Sequence, residues 1–253
     1  MLLVTWNVNS LRARLHRVLE LLDAHAPDVV ALQETKVSPE QLPRMELEAA
    51  GYDVVDHSGG RWAGVALLVA QRHTAADVHR GLPGEPDPDE ARWVEATVDG
   101  LRVVSTYVPN GRSLDDPMYD AKLAFLDAAV ARADALDRPA AITGDLNVAR
   151  SDADVYDPAV FTGTTHTSAA ERDRVDALEA RGYADAYRVV HPDQTADAHT
   201  WWDYRAGAYH KRLGLRIDHV MVAGATPTAA HVDRAFRKGD KPSDHAPVLV
   251  ELA

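Results

Sequence analysis

The chain has 253 residues, of which 46% are hydrophobic and 26% charged, and its formal net charge is −12. These fractions are ordinary for a soluble globular protein, and no run approaches the roughly 18 apolar residues that a membrane span requires. Cysteine is absent, which excludes disulfides and thiolate metal sites. We therefore expect a cytoplasmic monomer, with residues 1–253 forming one domain and no membrane partner.

Strand and helix patterns alternate along the first half of the chain. Leu2–Trp6 is predicted to be a buried strand that ends at Asn7, and Ser10 is predicted to cap the helix that follows. Val29–Gln33 is the next short apolar strand, and it ends at Glu34. Further strands are predicted at Ala63–Ala70, Trp93–Val98 and Leu101–Val108, the last two joined by an Asp99-Gly100 hairpin turn.

The second half of the chain continues this alternation. Ser168 and Glu171 are spaced as a capping box, which predicts a helix running from there to about Arg181. The other predicted elements are a helix at Pro117–Leu136, a strand at Ala140–Thr143 ending at Gly144-Asp145, strands at Ile217–Val222 and Val248–Leu252, and a surface loop at Gly81–Glu90.

Polar residues with catalytic chemistry stand at the ends of these predicted strands. They are Asn7, Glu34, Tyr107, Asp145 and Asp218, and the pair Asp244-His245 precedes the last strand. Open sheets gather functional groups at strand ends, because loops there carry polar side chains over a rigid base. Each residue taken alone has an ordinary alternative, such as a turn-forming Asn or a half-buried strand Tyr.

Two short motifs carry more information than the single residues. Gly144-Asp-Leu-Asn147 places an acid and an amide on a tight turn, for which an Asx turn is the alternative explanation. Asp244-His245 lies in a loop between prolines, where an acid beside a His favours a functional role. Asp218 is either hydrogen-bonded structure or the group that orients a catalytic His, and the two roles are compatible. The set suits metal-assisted hydrolysis of a phosphodiester.

Together these motifs resemble the exonuclease III family of abasic-site endonucleases, within the endonuclease/exonuclease/phosphatase superfamily. The resemblance covers nearly the whole chain, from Trp6 to the C terminus. Gly-Asp-Leu-Asn and Ser-Asp-His are shared with the wider superfamily, whereas longer strings are specific to its DNA-repair branch. These strings are Leu32-Gln-Glu-Thr-Lys36, Trp202-Asp-Tyr-Arg205 and Lys241-Pro-Ser-Asp-His-Ala-Pro247. The resemblance implies a DNase I-like α/β fold: a four-layer α/β sandwich of two packed, mostly antiparallel sheets flanked by helices.

The resemblance also implies a metal site. Glu34 is expected to be the main metal carboxylate, assisted by Asn7, while Asp244 completes the metal environment. Asp145, Asn147 and His245 are expected beside the same ion. Mg²⁺ or Mn²⁺ is implied as the cofactor, because hard cations prefer oxygen ligands and no thiolate is present.

The resemblance assigns catalytic roles to five residues. Asp145 is expected to activate or position the attacking water, and Asn147 to hold the phosphate or its developing charge. His245, oriented by Asp218, is expected to bind the scissile phosphate or transfer a proton. Tyr107 is expected to donate a hydrogen bond to the phosphate.

DNA recognition is expected from an apolar pocket and a set of backbone contacts. Trp201 matches the family's aromatic position around an extruded abasic sugar, with Leu215 and Ile217 nearby, and at least one of Trp201 and Trp202 is expected in the core. The expected DNA contacts are Asn110, Arg112, Arg92, Arg205, Lys211 and Arg212.

Overall acidity opposes binding to a polyanion, but the charge is unevenly spread. From His199 to His245 there are eight Lys or Arg and five Asp, a net +3, which leaves −15 for the rest of the chain. This difference favours a basic face on an acidic protein.

The sequence therefore predicts a Mg²⁺-dependent DNA-repair hydrolase. It is expected to cut duplex DNA 5′ to abasic sites, degrade DNA from 3′ to 5′ and clear blocked 3′ ends. Residues 191–199 and 209–211 match the family loosely, and we expect them to set the balance of these activities. The alternatives are a hydrolase of another phosphoester and a DNA-binding relative without catalysis.

Overall fold

A computed structural model describes residues 1–193 and 198–253, so residues 194–197, within the loosely matching segment, lie outside the described residues. The helices in these ranges are α1 (Leu11–His25), α2 (Arg44–Ala49), α3 (Pro117–Ala135), α4 (Ala169–Ala180) and α5 (Ala186–Val190). The strands are β1 (Leu2–Asn7), β2 (Val29–Gln33), β3 (Tyr52–His57), β4 (Val65–Ala70), β5 (Ala75–Arg80), β6 (Trp93–Val98), β7 (Leu101–Tyr107), β8 (Ala140–Asp145), β9 (Ala184–Asp185), β10 (Asp218–Ala223), β11 (Pro227–Val232) and β12 (Val248–Leu252).

The strands form two six-stranded sheets. The first has the order β11-β12-β1-β2-β4-β3, and the second has the order β5-β6-β7-β8-β10-β9. Each sheet contains one parallel pair, β1–β2 in the first and β7–β8 in the second, and the other registered pairs are antiparallel. Parallel neighbours need a crossover connection. Helix α1 provides it between β1 and β2, and α3 provides it between β7 and β8.

Apolar packing arranges these elements in four layers. The two sheets meet face to face through buried side chains that include Leu3, Leu67, Val103, Val220 and Val250. A second cluster packs α1 and α2 on the outer face of the first sheet, and a third packs α3 and α4 on the outer face of the second. The predicted four-layer sandwich is therefore confirmed. Within the described ranges, no helix has both the length and the apolar character needed to cross a bilayer.

Most of the predicted elements are confirmed, but the predicted cap at Ser10 is wrong. Strands β2, β6 and β12 have the predicted bounds, and the Ser168–Glu171 capping box is present. The Ser10 side chain makes no capping hydrogen bond. Instead, the backbone N–H groups of Ser10 and Leu11 donate to the carbonyls of Glu34 and Thr35, at 2.7 and 2.9 Å. The loop after β2 thus satisfies the start of α1 and holds Glu34 in place.

The sheet topology brings the polar strand ends to one edge of the sandwich. Strands β1, β2, β7 and β8 all end there, and β10 begins there, because Asp218 pairs with Asp145 across the β8–β10 ladder. Gly144 is required at this edge. Its φ is +147°, and a Cβ atom on it would lie 1.9 Å from the Thr106 carbonyl oxygen. Glycine therefore allows β7 and β8 to approach closely just before Asp145.

Candidate active site

A pocket of about 290 Å³ opens at this edge of the sandwich. It is lined by residues from both sheets and from the loops between them. Ten of the residues predicted from the sequence lie on its wall: Glu34, Tyr107, Asn110, Asp145, Asn147, Trp201, Arg205, Ile217, Asp244 and His245. Asn7 and Asp218 lie immediately behind this wall, hydrogen-bonded to side chains that line it.

Asn7 links the two sheets at the bottom of the pocket. Its side chain is fully buried, and its Nδ2 donates to Glu34 Oε1 at 2.8 Å and to Asp145 Oδ2 at 3.0 Å. Its Oδ1 accepts from the backbone N–H of Asn9 at 3.0 Å, which fixes the orientation of the amide. Two carboxylates from different sheets are therefore held side by side by one neutral amide.

Asp145 is buried beside other acids, and this changes its protonation. Burial raises its pKa to about 7, with Asp218 and Glu34 adding to the rise, while His245 and the hydrogen bond from Asn7 act in the lowering direction. Its Oδ1 accepts from the backbone N–H of Asn147 at 2.9 Å, so the Asx turn is present within the same site. A carboxyl group that titrates near neutrality can exchange a proton with a nearby water.

His245 is held as a cation by the acids around it. Burial lowers its pKa, but the charge and hydrogen bond of Asp218 and the charge of Asp145 raise it, to about 10. Its Nδ1 donates to Asp218 Oδ2 at 2.8 Å, and its Nε2 lies 3.8 Å from Asp145 Oδ2. Asp218 is therefore in hydrogen-bond contact with the His245 ring, as its predicted orienting role requires. An imidazolium in this place can donate to a phosphate oxygen.

Three ligand atoms in the pocket have the spacing of a metal site. Oxygen or nitrogen atoms of Glu34, Asp145 and His245 all lie within 4.8 Å of one another. The crowding of acids that raises the pKa of Asp145 is an excess of negative charge that a cation relieves. The two carboxylates are hard oxygen donors, which suit a divalent metal ion.

Asp244 lines the same pocket but is not one of that group of three. It accepts from Asn9 Nδ2 and from Trp201 Nε1, both at 3.0 Å. Asn9 Oδ1 in turn accepts from Lys36 Nζ at 2.6 Å, and Lys36 forms an ion pair with Glu34. Asp244 is thus connected to Glu34 through two side chains rather than placed beside it.

Tyr107 enters the pocket from the end of β7. Burial raises the pKa of its hydroxyl well above the ordinary value, and the charges of Glu34 and Asp145 add to this, so it stays protonated and able to donate. Arg92 lies behind it, with the guanidinium 4.7 Å from the ring centre and an N–H donating to the Tyr107 carbonyl. Arg92 is 7% exposed and does not line the pocket, so its predicted place at the DNA surface is corrected.

The expected sugar pocket is only partly assembled as predicted. Trp201 and Ile217 line the pocket wall, and Trp202 is buried in the core, as expected for one of the two tryptophans. Leu215 is 1% exposed and packs beneath them, so it supports the pocket without lining it. Arg205 is exposed at the pocket mouth and forms an ion pair with Asp203.

The other predicted DNA contacts differ in position. Asn110 donates to Asn147 Oδ1 at 3.3 Å, on the pocket wall. Arg112 and Lys211 are exposed but lie outside the pocket. Arg112 has a carboxylate partner, Asp116, at 3.6 Å.

His166 and Lys122 belong to the site but were not predicted. His166 lines the pocket, and its Nδ1 lies 2.7 Å from the Asn147 carbonyl. Lys122 is fully buried, and its Nζ donates to the carbonyls of Asn147 and Asn110, at 2.7 and 3.2 Å. It also donates to Glu171, which is fully buried too. One ammonium therefore fixes the two loops that carry the pocket amides.

We expect Lys122→Met to lower the free energy of unfolding by about 3–5 kcal/mol, because it leaves the Glu171 carboxylate buried without its compensating charge. Chemical denaturation with urea measures the loss. The double variant Lys122→Met/Glu171→Gln should recover part of it, since it removes the unpaired charge. A loss below about 1 kcal/mol in the single variant contradicts this account of the pair.

The chain is similar in sequence to known proteins along most of its length. Residues 4–245 match the model of the endonuclease/exonuclease/phosphatase family. Exodeoxyribonuclease III of Haemophilus influenzae is 31% identical over 266 residues, covering 98% of each chain. The chain therefore belongs to the endonuclease/exonuclease/phosphatase family, and the exonuclease III resemblance is confirmed.

Three solved structures resemble the whole chain. The 3′-5′ exonuclease NExo of Neisseria meningitidis has 38% identity and a TM-score of 0.94, covering 100% of this chain and 99% of the other. An AP endonuclease from Archaeoglobus fulgidus has 31% identity and a TM-score of 0.93, with the same coverage. NExo from Neisseria has also been solved as a 3′ phosphatase bound to a product DNA hairpin, with 37% identity and a TM-score of 0.95 over 100% and 99% of the two chains.

Proposed function

We propose that this chain is a divalent-metal-dependent DNA-repair phosphoesterase. It cuts duplex DNA 5′ to abasic sites, degrades DNA from 3′ to 5′ and removes blocking groups from 3′ ends. The observation that carries this proposal is the buried line Asp218–His245–Asp145 beside Glu34 in one pocket. The names of the similar proteins, which include exodeoxyribonuclease III, AP endonuclease and 3′ phosphatase, support DNA as the substrate.

In this mechanism the chain's own residues bind the phosphate and move the proton. Glu34 and Asp145 would hold the metal, with Asn7 positioning both carboxylates, while His245 stays protonated beside them. A bound Mg²⁺ or Mn²⁺ offsets the negative charge of the phosphodiester and of the leaving oxygen. Asp145 accepts a proton from the attacking water.

Donors around the pocket stabilise the phosphate as its charge grows. His245 donates from Nε2, because Asp218 holds its Nδ1. Tyr107 donates its hydroxyl, and Asn147 donates its amide. Preformed donors in a buried site stabilise developing charge without reorganising, which is why the pocket favours hydrolysis. Trp201 and Ile217 form the apolar wall against which an abasic sugar packs.

The test uses three duplexes that differ at one position: one with an abasic analogue, one intact, and one with a 3′-phosphate at a nick. Each is incubated with Mg²⁺, Mn²⁺ or EDTA. We expect metal-dependent incision of the abasic duplex, removal of the 3′-phosphate, and slower degradation of the intact duplex from its 3′ ends. Asp145→Asn should remove nearly all of this activity. Asp176→Asn, the same chemical change at an exposed surface acid, serves as its control and should keep full activity.

Each part of the proposal can fail separately. If folded protein processes none of the duplexes with either metal, the proposed phosphoesterase activity on DNA is overturned. Hydrolysis of inositol phosphates, phospholipids or RNA would then identify the alternative superfamily activity. Equal rates on abasic and intact duplexes overturn the proposal that the pocket selects an abasic sugar. Activity that persists in EDTA overturns the metal requirement.

A further inference from the structure

A second concave surface is formed by residues near in the chain to those that line the catalytic pocket. It has a volume of about 400 Å³ and is lined by Tyr209, His210, Arg212, Arg234, Ala235 and Lys238. We call it the basic groove. Two turns form it: one comprises residues 209–212, and the other comprises residues 234–238. It contains cationic and aromatic side chains, and no acidic residue is part of its lining.

Hydrogen bonds and ring contacts hold the two turns of the basic groove together. The Tyr209 hydroxyl donates to the Arg234 carbonyl at 3.0 Å, which connects one turn to the other. The Tyr209 ring packs edge-on against Trp202, with ring centres 5.2 Å apart, and the Arg237 guanidinium lies 5.0 Å from its centre. The groove is therefore a preformed surface rather than a gap between loose loops.

Two cations in the basic groove have no acidic partner. Among residues 1–193 and 198–253, no carboxylate forms an ion pair with Arg212 or Lys238, and both side chains are exposed. By contrast, the neighbouring Arg205 is paired with Asp203. Asp233, next to the groove, is already bound to His25. In a chain with a net charge of −12, unpaired cations gathered in one concavity point to an anionic ligand.

The basic groove is close to the catalytic pocket along two chain segments. Arg205 lines the pocket and Tyr209 lines the groove, and a hydrogen bond from the Ala208 N–H to the Arg205 carbonyl makes that connection compact. Lys238 lines the groove and Asp244 lines the pocket. Six residues span at most about 20 Å. That distance corresponds to about six base pairs of duplex DNA, at 3.4 Å each along the axis.

We propose that the basic groove binds backbone phosphates of the same duplex whose target nucleotide lies in the catalytic pocket, about six base pairs or fewer from it. Arg212 and Lys238 supply the charge, and Tyr209 supplies the rigid floor. The groove explains how an acidic protein holds a polyanion: its attraction is confined to one face. This inference rests on the proposed action on DNA and adds a second contact region to it.

Salt dependence tests the groove because each phosphate contact releases counterions. The protein is titrated in EDTA, which prevents hydrolysis, against a labelled duplex of about 30 base pairs, from about 50 to 200 mM salt. For Arg212→Ala/Lys238→Ala we expect the slope of log Kd against log salt to decrease by about 1–2, and Kd to rise about tenfold at the higher salt concentration. The charge-conserving Arg212→Lys/Lys238→Arg variant should keep the parent slope.

Two controls separate local contact from overall charge. Arg138→Ala/Arg181→Ala removes the same charge near the start of β8, at the opposite edge of the sandwich, and should leave the slope unchanged. Shortening the duplex step by step from both ends should remove the difference between the parent and the groove variant once the duplex no longer reaches the groove, within about six base pairs of the target. An unchanged slope in the groove variant, or an equal decrease in the control, overturns the proposal. Since no cleavage is involved, that failure is distinct from a failure of the catalytic proposal.

Discussion

Replacing Asp145 by Asn is expected to lower the rate of hydrolysis by about 10³-fold or more, while DNA binding and the fold are retained. The amide keeps the size of the carboxylate but cannot accept a proton from water. The carboxyl group is buried and has a pKa raised by burial and by the neighbouring acids to about 7, so it is suited to that transfer at neutral pH. Single-turnover rates on the abasic and 3′-phosphate duplexes measure the loss.

The same substitution is expected to stabilise the metal-free protein. Asp145 has a higher pKa in the folded chain than its ordinary value of 3.8, so the folded state binds this proton more tightly. The stability of the folded state therefore falls as pH rises through the interval between about 4 and 7. Above that interval the destabilisation caused by the ionised Asp145 carboxylate is complete. At pH 8 in EDTA the variant should unfold at a higher temperature than the parent, and Mg²⁺ should raise the parent's midpoint more than the variant's. A lower midpoint in EDTA argues that the carboxylate is needed for the fold.

Asp218→Asn is expected to lower the rate by about 10²–10³-fold at pH 8 and by much less at pH 6. Asp218 holds His245 as a cation, since its charge and hydrogen bond are the largest of the contributions that raise the His245 pKa to about 10. Without that charge the pKa falls toward its ordinary value of 6.5. The imidazolium that is present below that value is then lost as pH rises, whereas in the parent it persists to about 10.

The ratio of variant to parent rates between pH 6 and 8 measures this effect. His245→Gln provides the comparison, because a residue that does not titrate should give a ratio that is nearly constant with pH. Adding Asp218→Asn to His245→Gln should cost little more, since both changes remove the same cation. A constant ratio for the single Asp218→Asn variant shows that the acid has another role.

The fold was predictable where a strand or helix is buried, and unpredictable at the sheet edges. The strands that had no prediction are β3, β5, β9 and β11, and these are the four edge strands of the two sheets. β5 is largely exposed, β11 is mostly half-buried and β9 has only two residues, so these strands show little hydrophobic pattern. The short helices α2 and α5 were missed because six and five residues give no helical period.

The candidate site was predictable for side chains that follow buried strands. Glu34 and Asp145 stand where apolar runs end, and the topology brings those ends together. Lys122 gave no signal, because a lysine in the middle of a helix is indistinguishable from an exposed one until the opposing loop is known. Arg92 was misplaced for the reverse reason: its charge favoured the surface, but it packs behind Tyr107.

Because the site is built from both sheets, the apolar core between them affects catalysis as well as stability. Asn7 belongs to one sheet, whose strand β2 Glu34 follows, and Asp145 and Asp218 belong to the other. The 3.0 Å contact between Asn7 and Asp145 therefore depends on the alignment of the two sheets. Any sliding of one sheet over the other changes that distance, even when every hydrogen bond within each sheet is intact. The packing between the sheets therefore sets the spacing of the catalytic groups. Warming, or cavity-forming substitutions deep in the core, should lower the rate of catalysis before they unfold the chain.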